Sequence, residues 1–316
     1  MRDEEEYLIS YANFKSNLFP RQKNFLNPNQ LKSFYQNTHY GFPICLPKNI
    51  KYFNYDNAKY FKIDKKKFGK KVFGTNNLDY IGLKKFFRYG SHFAYNVILK
   101  KKYTKKFREY INKTQKLKKK IKKLKAKNKK ICSMQIRNVP HFGHEAVFKY
   151  ILNNFGCLYL NPIYGVKKKN DFSNLFISKA LNYIKKKIEN IQFDPIWTNF
   201  HYAGPREAIH HLLVRQSLGF DYFYIGRDHA GAENLYEQDE AIKIVKKFQH
   251  KFKIKPFISK GGFYCGNCNR YLIKDSCSHK KLKNISGTEF RHWMNKKKLY
   301  KHADKHLQKI LFKIKF

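Results

Sequence analysis

The stretch "KICSMQIRNVPHFGHEAVFKYILNNFG", residues 130–156, decides how the chain is read. Its first six residues form a short, mostly apolar strand. A polar loop follows, with Gln135, Arg137, Asn138, His141 and His144 inside ten positions. The pattern then turns helical: Val147, Phe148, Ile151, Leu152 and Phe155 trace one face, and Gly156 supplies the backbone freedom that ends a helix. The polar cluster therefore sits at the carboxyl end of a strand and the start of a helix.

Residues 204–231, "GPREAIHHLLVRQSLGFDYFYIGRDHAG", show a complementary order. Pro205 suits a first helical position, Ile209, Leu212 and Leu213 share a face, Gly219 stops the helix, and residues 221–226 form the next strand. A helix between strands predicts a parallel α/β sheet, and ligands of such sheets lie at the carboxyl ends of strands, where both polar clusters begin.

The chemistry of the first cluster is that of an anion site. His141 and His144 are three apart and share a face at a helix start, where unpaired amides and the helix dipole favour phosphate. Gly143 lets a ligand approach the backbone, and Pro140 is tolerated because early helical amides have no internal partner. Two histidines aimed there can stabilise charge on a transferring phosphoryl group. Two ordinary histidines at a capped helix are the alternative; Gln135, Arg137 and Asn138 directly upstream favour function. Residues 226–230, "GRDHA", are open between a salt-bridged turn and a ligand loop. In "ISGTEFRHWM", residues 285–294, Ser286 and Glu289 have capping-box spacing, and Arg291 lies in the first turn, within reach of an anion. A plain capped helix remains the other reading there.

Cys265, Cys268, Cys277 and His279 follow a C-x2-C-x8-C-x-H pattern, a full tetrahedral set for structural zinc with no open catalytic position. The competing reading is a disulfide pair. Gly261 and Gly262 before it look like a hinge or boundary.

Composition bounds the rest. The 316 residues carry a formal net charge of +45, which ordinarily points to polyanions. Here lysine rises together with asparagine, tyrosine, phenylalanine and isoleucine, the signature of drift in coding composition, so nucleic acid is not the expected partner. Ten of the 67 basic residues are arginine, and Arg137, Arg206, Arg215, Arg227 and Arg291 all fall in or beside the distinctive segments, marking places where a bidentate fork matters. The first ten residues do not read as a secretory or transit signal, no apolar run approaches a membrane span, and the reading is of a cytoplasmic protein with reduced thiols.

Together these segments resemble the ATP sulfurylase (sulfate adenylyltransferase) family. Its Q-T-R-N-P-x-H-x-x-H-E motif is similar to "QIRNVPHFGHE", its M-R-Y-A-G-P-R-E-A to "FHYAGPREA", and its G-R-D-H-A-G and I-S-G-T-x-x-R are present at residues 226–231 and 285–291. The cysteine pattern is similar to that of the bacterial zinc-containing branch. The resemblance implies an α/β, Rossmann-like nucleotidyltransferase (H-x-G-H) catalytic domain with a parallel sheet over residues 131–260. Around it would stand a β-rich PUA-like domain at 1–105, where the short runs "FPICLP" (42–47) and "KKVFG" (70–74) favour strands and "FPICLP" and "VFGT" (72–75) are similar to pieces of that domain. A basic helix or linker at 106–130, with Leu117, Ile121 and Leu124 as a narrow apolar stripe, and a small zinc-binding and helical subdomain at 261–316 would complete the chain.

The implied reaction is attack of sulfate on the α-phosphate of MgATP, giving adenosine 5′-phosphosulfate and pyrophosphate. Gln135 and Arg137 would hold sulfate with the backbone of Ala230. Arg137, Asn138, His141 and His144 would carry the catalysis. ATP would be gripped by Gln135, Ile136, Arg137 and Asn138 and by Gly226, Arg227, Asp228 and His229. Mg2+ accompanies ATP, structural Zn2+ the cysteine cluster, and the branch resembles homodimers. Departures stand out: Ile136 replaces a threonine, His201 an arginine, residues 230–241 are altered, and the chain is shorter than the family in its first domain and at its carboxyl end. No P-loop supports a fused kinase. The competing readings are a basic, zinc-containing nucleic-acid-binding protein and an inactive descendant of the family.

Overall fold

The computed structural model describes residues 3–127, 130–165, 172–227, 229, 235–273 and 276–314. Apolar residues are irregularly spaced along the first hundred positions, and the chain there folds in short pieces. These are helices α1 (Glu5–Lys15), α2 (Pro28–Gln36), α3 (Lys65–Phe68) and α4 (Ile81–Phe86) and strands β1 (Leu46–Pro47), β2 (Phe53–Asn54), β3 (Lys59–Lys62), β4 (His92–Tyr95) and β5 (Ile98–Leu99). The strands form a small β1-β4-β3 antiparallel sheet and a β2-β5 pair.

The expectation of a β-rich segment is therefore corrected to a mixed one. Of "FPICLP" only Leu46 and Pro47 are strand, and "KKVFG" is part of a tight π-turn, Gly69–Phe73. Glycine explains that turn: a Cβ on Gly69 would lie 2.4 Å from the Thr75 carbonyl, and Gly74 adopts φ +73°. Aromatic residues drive the packing instead, with Phe68, Phe73 and Phe93 almost wholly buried against one another's neighbours in one core.

The lysine-rich segment forms α5 (Thr104–Lys125), and it is no free linker. Tyr110, Thr114, Leu117 and Ile121 recur every three to four residues and are buried, giving a stripe that packs against α1, while the lysines face outward. Lys106 to Glu5 and Lys125 to Asp221, each 2.6 Å, tie its two ends down.

The central sheet alternates strand and helix: β6 (Ile131–Ile136), α6 (Phe142–Phe155), β7 (Cys157–Pro162), α7 (Asn174–Lys187), β8 (Ile191–Phe193), α8 (Gly204–Leu218), β9 (Tyr222–Ile225), α9 (Glu240–Phe248) and β10 (Lys255–Ile258). Its five strands lie in the order β10-β9-β6-β7-β8, all parallel. Side chains alternate between two cores: Ile131, Tyr159 and Phe223 join α8, α9 and the first hundred residues on one face. Cys132, Leu158 and Tyr224 join α6 and α7 on the other. Helices on both faces make this a doubly wound, Rossmann-like sheet. The strand order reverses between β6 and β9, and at such a switch point the outgoing loops part and leave a crevice. Gly156 and Gly219, at φ +72° and +98°, end α6 and α8 in the left-handed conformation that β-carbons disfavour.

Beyond the sheet come an antiparallel trio β11 (Gly262–Cys265), β12 (Arg270–Ile273) and β13 (Leu282–Asn284), then α10 (Gly287–Asn295) and α11 (Lys305–Phe312). The trio packs on α6 at one tight place. A Cβ on Gly262 would lie 2.0 Å from the Gly143 carbonyl oxygen, so Gly262 forms a close backbone seat, while Gly261 before it supplies a backbone φ of +88° with open space around it. Ser286 caps α10 through Thr288 and Glu289 amides, but Glu289 accepts from the Tyr300 hydroxyl instead of closing a capping box. Among the described residues no helix is long and apolar enough to cross a membrane.

Candidate active site

Residues 135–144 and 226–229 leave β6 and β9 side by side at the switch point, and the space above them is a cleft of about 270 Å³. The start of α6 shapes it. His141 is the N-cap residue: the His144 amide donates to His141 Nδ1 and the His141 amide to His144 Nδ1, each at 3.3 Å, with the rings 3.9 Å apart. A histidine pair thus plays the part usually taken by Ser and Glu in a capping box. Because both Nδ1 atoms accept, both rings are Nε2–H tautomers with a donor to spare. Burial holds His141 well below its ordinary pKa and takes His144 down to about 4, so at neutral pH both are uncharged donors. Gly143 lines the cleft but is needed chiefly for the Gly262 contact.

Charge in the cleft comes from elsewhere. Arg137, Arg227 and Lys260 line it, and no carboxylate among the described residues does. Arg227 stacks over Phe263, 5.2 Å from the ring centroid, and donates to Asn284 Oδ1. Arg291 donates to Asn138 Oδ1 at 3.2 Å and to Thr288 Oγ1 at 3.2 Å, and a Cβ on Gly287 would meet the Asn138 amide at 2.8 Å. The β13–α10 turn therefore forms a wall facing the loops after β6 and β9 and orients one polar group of each, Asn138 and Arg227. Gln135 Oε1 is buried without a hydrogen-bond partner, an amide end available to a ligand, since either amide atom can occupy that position.

Gln135, Ile136, Arg137, Asn138, His141, His144, Gly226, Arg227 and His229 are thus brought together around one cleft. Asp228 and Ala230 lie outside the described residues. Ile136 contributes main chain rather than chemistry, because its side chain is 2 % exposed in the α6–α7 core. His201 is stacked flat on Phe42, 3.9 Å between centroids, and burial keeps it neutral, so it carries no charge where the resemblance has arginine.

Two arginines do not reach the cleft. Arg206 is buried and donates to the Phe34, Gly41 and Lys71 carbonyls and the Thr38 hydroxyl, fastening α8 to the first hundred residues. Arg215 is wholly buried over Phe223, with burial lowering it to about 9, which leaves it charged at neutral pH. Their selection of guanidinium is structural, a reading composition alone did not separate. Sequence reasoning missed Lys260 and Asn284, which line the cleft, and Phe263, which backs Arg227. Lys260 is one lysine among many, and Asn284 shows no local pattern, although it directly precedes the "ISGT" motif.

The four zinc-pattern residues converge: their ligand atoms lie within 4.8 Å of one another, with Cys268 Sγ–Cys277 Sγ 3.6 Å, Cys265 Sγ–Cys277 Sγ 3.7 Å and His279 Nδ1 3.2–3.5 Å from all three sulfurs. A tetrahedron of thiolates about 2.3 Å from one ion has edges of about 3.7 Å, so the set can hold a metal ion, and the sulfurs are too far apart for disulfides. Cys265 ends β11 and His279 lies three residues before β13, so the cluster pins the outer ends of the strands whose inner ends, Gly262 and Asn284, line the cleft.

Comparison with known proteins agrees with this arrangement. A family model described as ATP-sulfurylase matches residues 108–302. The sulfate adenylyltransferase of Hyperthermus butylicus is 38 % identical over 166 residues, covering 51 % of this chain and 42 % of that protein. That of Ignicoccus hospitalis is 39 % identical over 168 residues, 51 % and 43 %. That of Thermococcus onnurineus is 32 % identical over 239 residues, 73 % and 62 %. The chain thus matches between about two fifths and three fifths of the length of these relatives. With the family model spanning well over half of its residues and the motif-bearing loops meeting at one switch point, the chain belongs to the ATP-sulfurylase family.

Proposed function

We propose that the chain is a sulfate adenylyltransferase: a sulfate oxygen forms a bond to the α-phosphorus of MgATP, the bond from that phosphorus to the bridging oxygen of pyrophosphate breaks, and adenosine 5′-phosphosulfate and pyrophosphate result. The observation that carries the reading is the cationic cleft, free of carboxylates among the described residues, built at the β6–β9 switch point by the two loops. Sulfate is fully ionised at neutral pH and needs no general base. The site's work is therefore alignment and charge stabilisation, as in phosphoryl transfer generally.

Gln135 and Arg137, with the backbone of Ala230, receive sulfate; the unpartnered Gln135 amide supports this. Asn138, held by Arg291, and the Nε2–H groups of His141 and His144 take the phosphates whose charge grows in the transition state, with Arg227 and Lys260 beside them. Gly226, Arg227, Asp228 and His229 hold the nucleotide, Gln135, Ile136, Arg137 and Asn138 line its phosphates, and Mg2+ enters with ATP. Zinc on Cys265, Cys268, Cys277 and His279, a PUA-like origin for residues 1–105, the division at 106, 131 and 261, and a homodimer belong to the same proposal.

Pyrophosphate release from MgATP should depend on sulfate, and Arg137→Ala should lower it about a hundredfold, the scale for losing one charge-stabilising donor. Turnover indifferent to sulfate, or none in the wild-type chain, would refute the reading; an inactive descendant would still fold without binding ATP.

A further inference from the structure

Behind the cleft, α8 carries a line of buried polar groups that the proposed reaction does not use. Glu207 is 1 % exposed, and its two oxygens accept separate backbone amides, Oε1 from His201 at 2.8 Å and Oε2 from Ala203 at 3.0 Å. One turn later on the same face is His211, 0 % exposed, with Nε2 3.4 Å from Glu207 Oε1, a close electrostatic contact in which Nε2 makes no hydrogen bond. On the other side of the ring, His211 Nδ1 lies 3.2 Å from His229 Nε2. His229 comes from the loop after β9, lines the cleft, and stands edge-on to Phe223 at 5.5 Å.

We infer that Glu207 and His211 are positioning residues that hold His229 at the cleft in a single orientation and a single tautomer. Both carboxylate oxygens of Glu207 already receive amide hydrogens, so the group stands as an acceptor, and its charge 3.4 Å from His211 Nε2 favours the ring proton on that nitrogen. That leaves His211 Nδ1 with the lone pair, and the proton between the two rings belongs to His229 Nε2. His229 Nδ1, which has no partner among the described residues, then presents a lone pair. Burial keeps both imidazoles neutral, with the nearby Arg215 charge acting in the same direction. His229 is thereby an acceptor, the opposite of His141 and His144, which offer N–H donors. It suits a donor on the nucleotide, such as a sugar hydroxyl, and not a phosphate oxygen. The inference rests on the cleft being the nucleotide site.

The full chain labelled with 15N-histidine reports the tautomer directly, the His229 signals being assigned by their loss in His229→Gln. The expected result is an Nε2–H ring at neutral pH. An Nδ1–H ring, or an even mixture, would overturn the inference whether or not the chain turns over sulfate, which separates its failure from that of the functional reading. In kinetics, His211→Phe should raise KM for ATP about tenfold with a smaller change in kcat and none in KM for sulfate, the scale of one misplaced hydrogen bond. His211→Asn, whose side-chain oxygen can stand where Nδ1 stood, should recover most of the loss. Equal losses in the two variants would reduce His211 to a core residue. Should His211→Phe fail to fold, the wild-type tautomer and the Asn variant still decide the matter.

Discussion

Glycine 262 shows how far one absent carbon reaches. Its missing Cβ lets β11 sit on the Gly143 carbonyl, and backbone meets backbone, so no side-chain rotation can relieve an added methyl. Gly262→Ala should destabilise the chain by about 3 kcal/mol through overpacking, and should also raise KM for ATP because the cleft wall shifts. Thermal unfolding and steady-state kinetics check the two parts; an unchanged melting temperature would show that the seat is looser than drawn. At the same scale, Arg206 and Arg227 illustrate identical chemistry in different service. One fork is filled by backbone carbonyls in the interior, and the other faces the cleft, steadied by Asn284 and Phe263. Local sequence has no marker for that difference, since it depends on partners distant in the chain, Phe34 for one fork and Phe263 and Asn284 for the other.

At the scale of elements, the start of α6 and the middle of α8 carry histidines that must stay neutral to remain packed. Burial lowers His144 to about 4 and His210 to about 3, and holds His141 and His211 well below the ordinary value. In the unfolded chain each takes up a proton near pH 6.5, whereas in the folded chain it does not, so the unfolded state binds more protons in this window. Stability is therefore fully present above about pH 7 and falls as the pH drops below about 6.5, by up to about 1.4 kcal/mol per pH unit for each histidine. Glu207, which burial raises, opposes this as one group against four. The melting temperature should drop clearly between pH 7.5 and about 5.5, above the usual carboxylate range; a flat profile there would mean these rings are not held neutral. The strand–loop–helix order around residues 130–156 was legible because apolar periods of two and 3.6 are local. The tight turn at 69–73 was not, because the close approach of Gly69 to the Thr75 carbonyl and the positive φ of Gly74 leave no apolar period to read.

For the whole molecule, the Cys265–His279 cluster links stability to the cleft. With a metal ion bound it would fasten the outer ends of β11 and β13, whose inner ends touch α6 and carry Asn284 to Arg227. Elemental analysis should find one zinc per chain. Removing it with a chelator should lower the melting temperature and weaken binding of an ATP analogue while leaving the helical content of the parallel domain, by circular dichroism, largely in place. Absence of zinc together with unaltered stability in chelator would dismiss the structural-metal reading. The excess of lysine contributes to none of these contacts in bulk: most of α5's lysines face outward, and the helix is placed by Tyr110, Thr114, Leu117 and Ile121.

The sequence by itself determined the strand–loop–helix of residues 130–156, the helix–strand of residues 204–226, the loops that follow the two strands and the four metal-pattern residues, because each is written in short spacings that survive compositional drift. Only the tertiary structure decided that the loops meet at the β6–β9 switch point, that His141 and His144 are neutral donors, that His211 stands behind His229, and that Arg206 and Arg215 belong to the interior. Those outcomes depend on strand order, burial and hydrogen-bond partners distant in the chain, and such long-range terms leave no period in the sequence to be read.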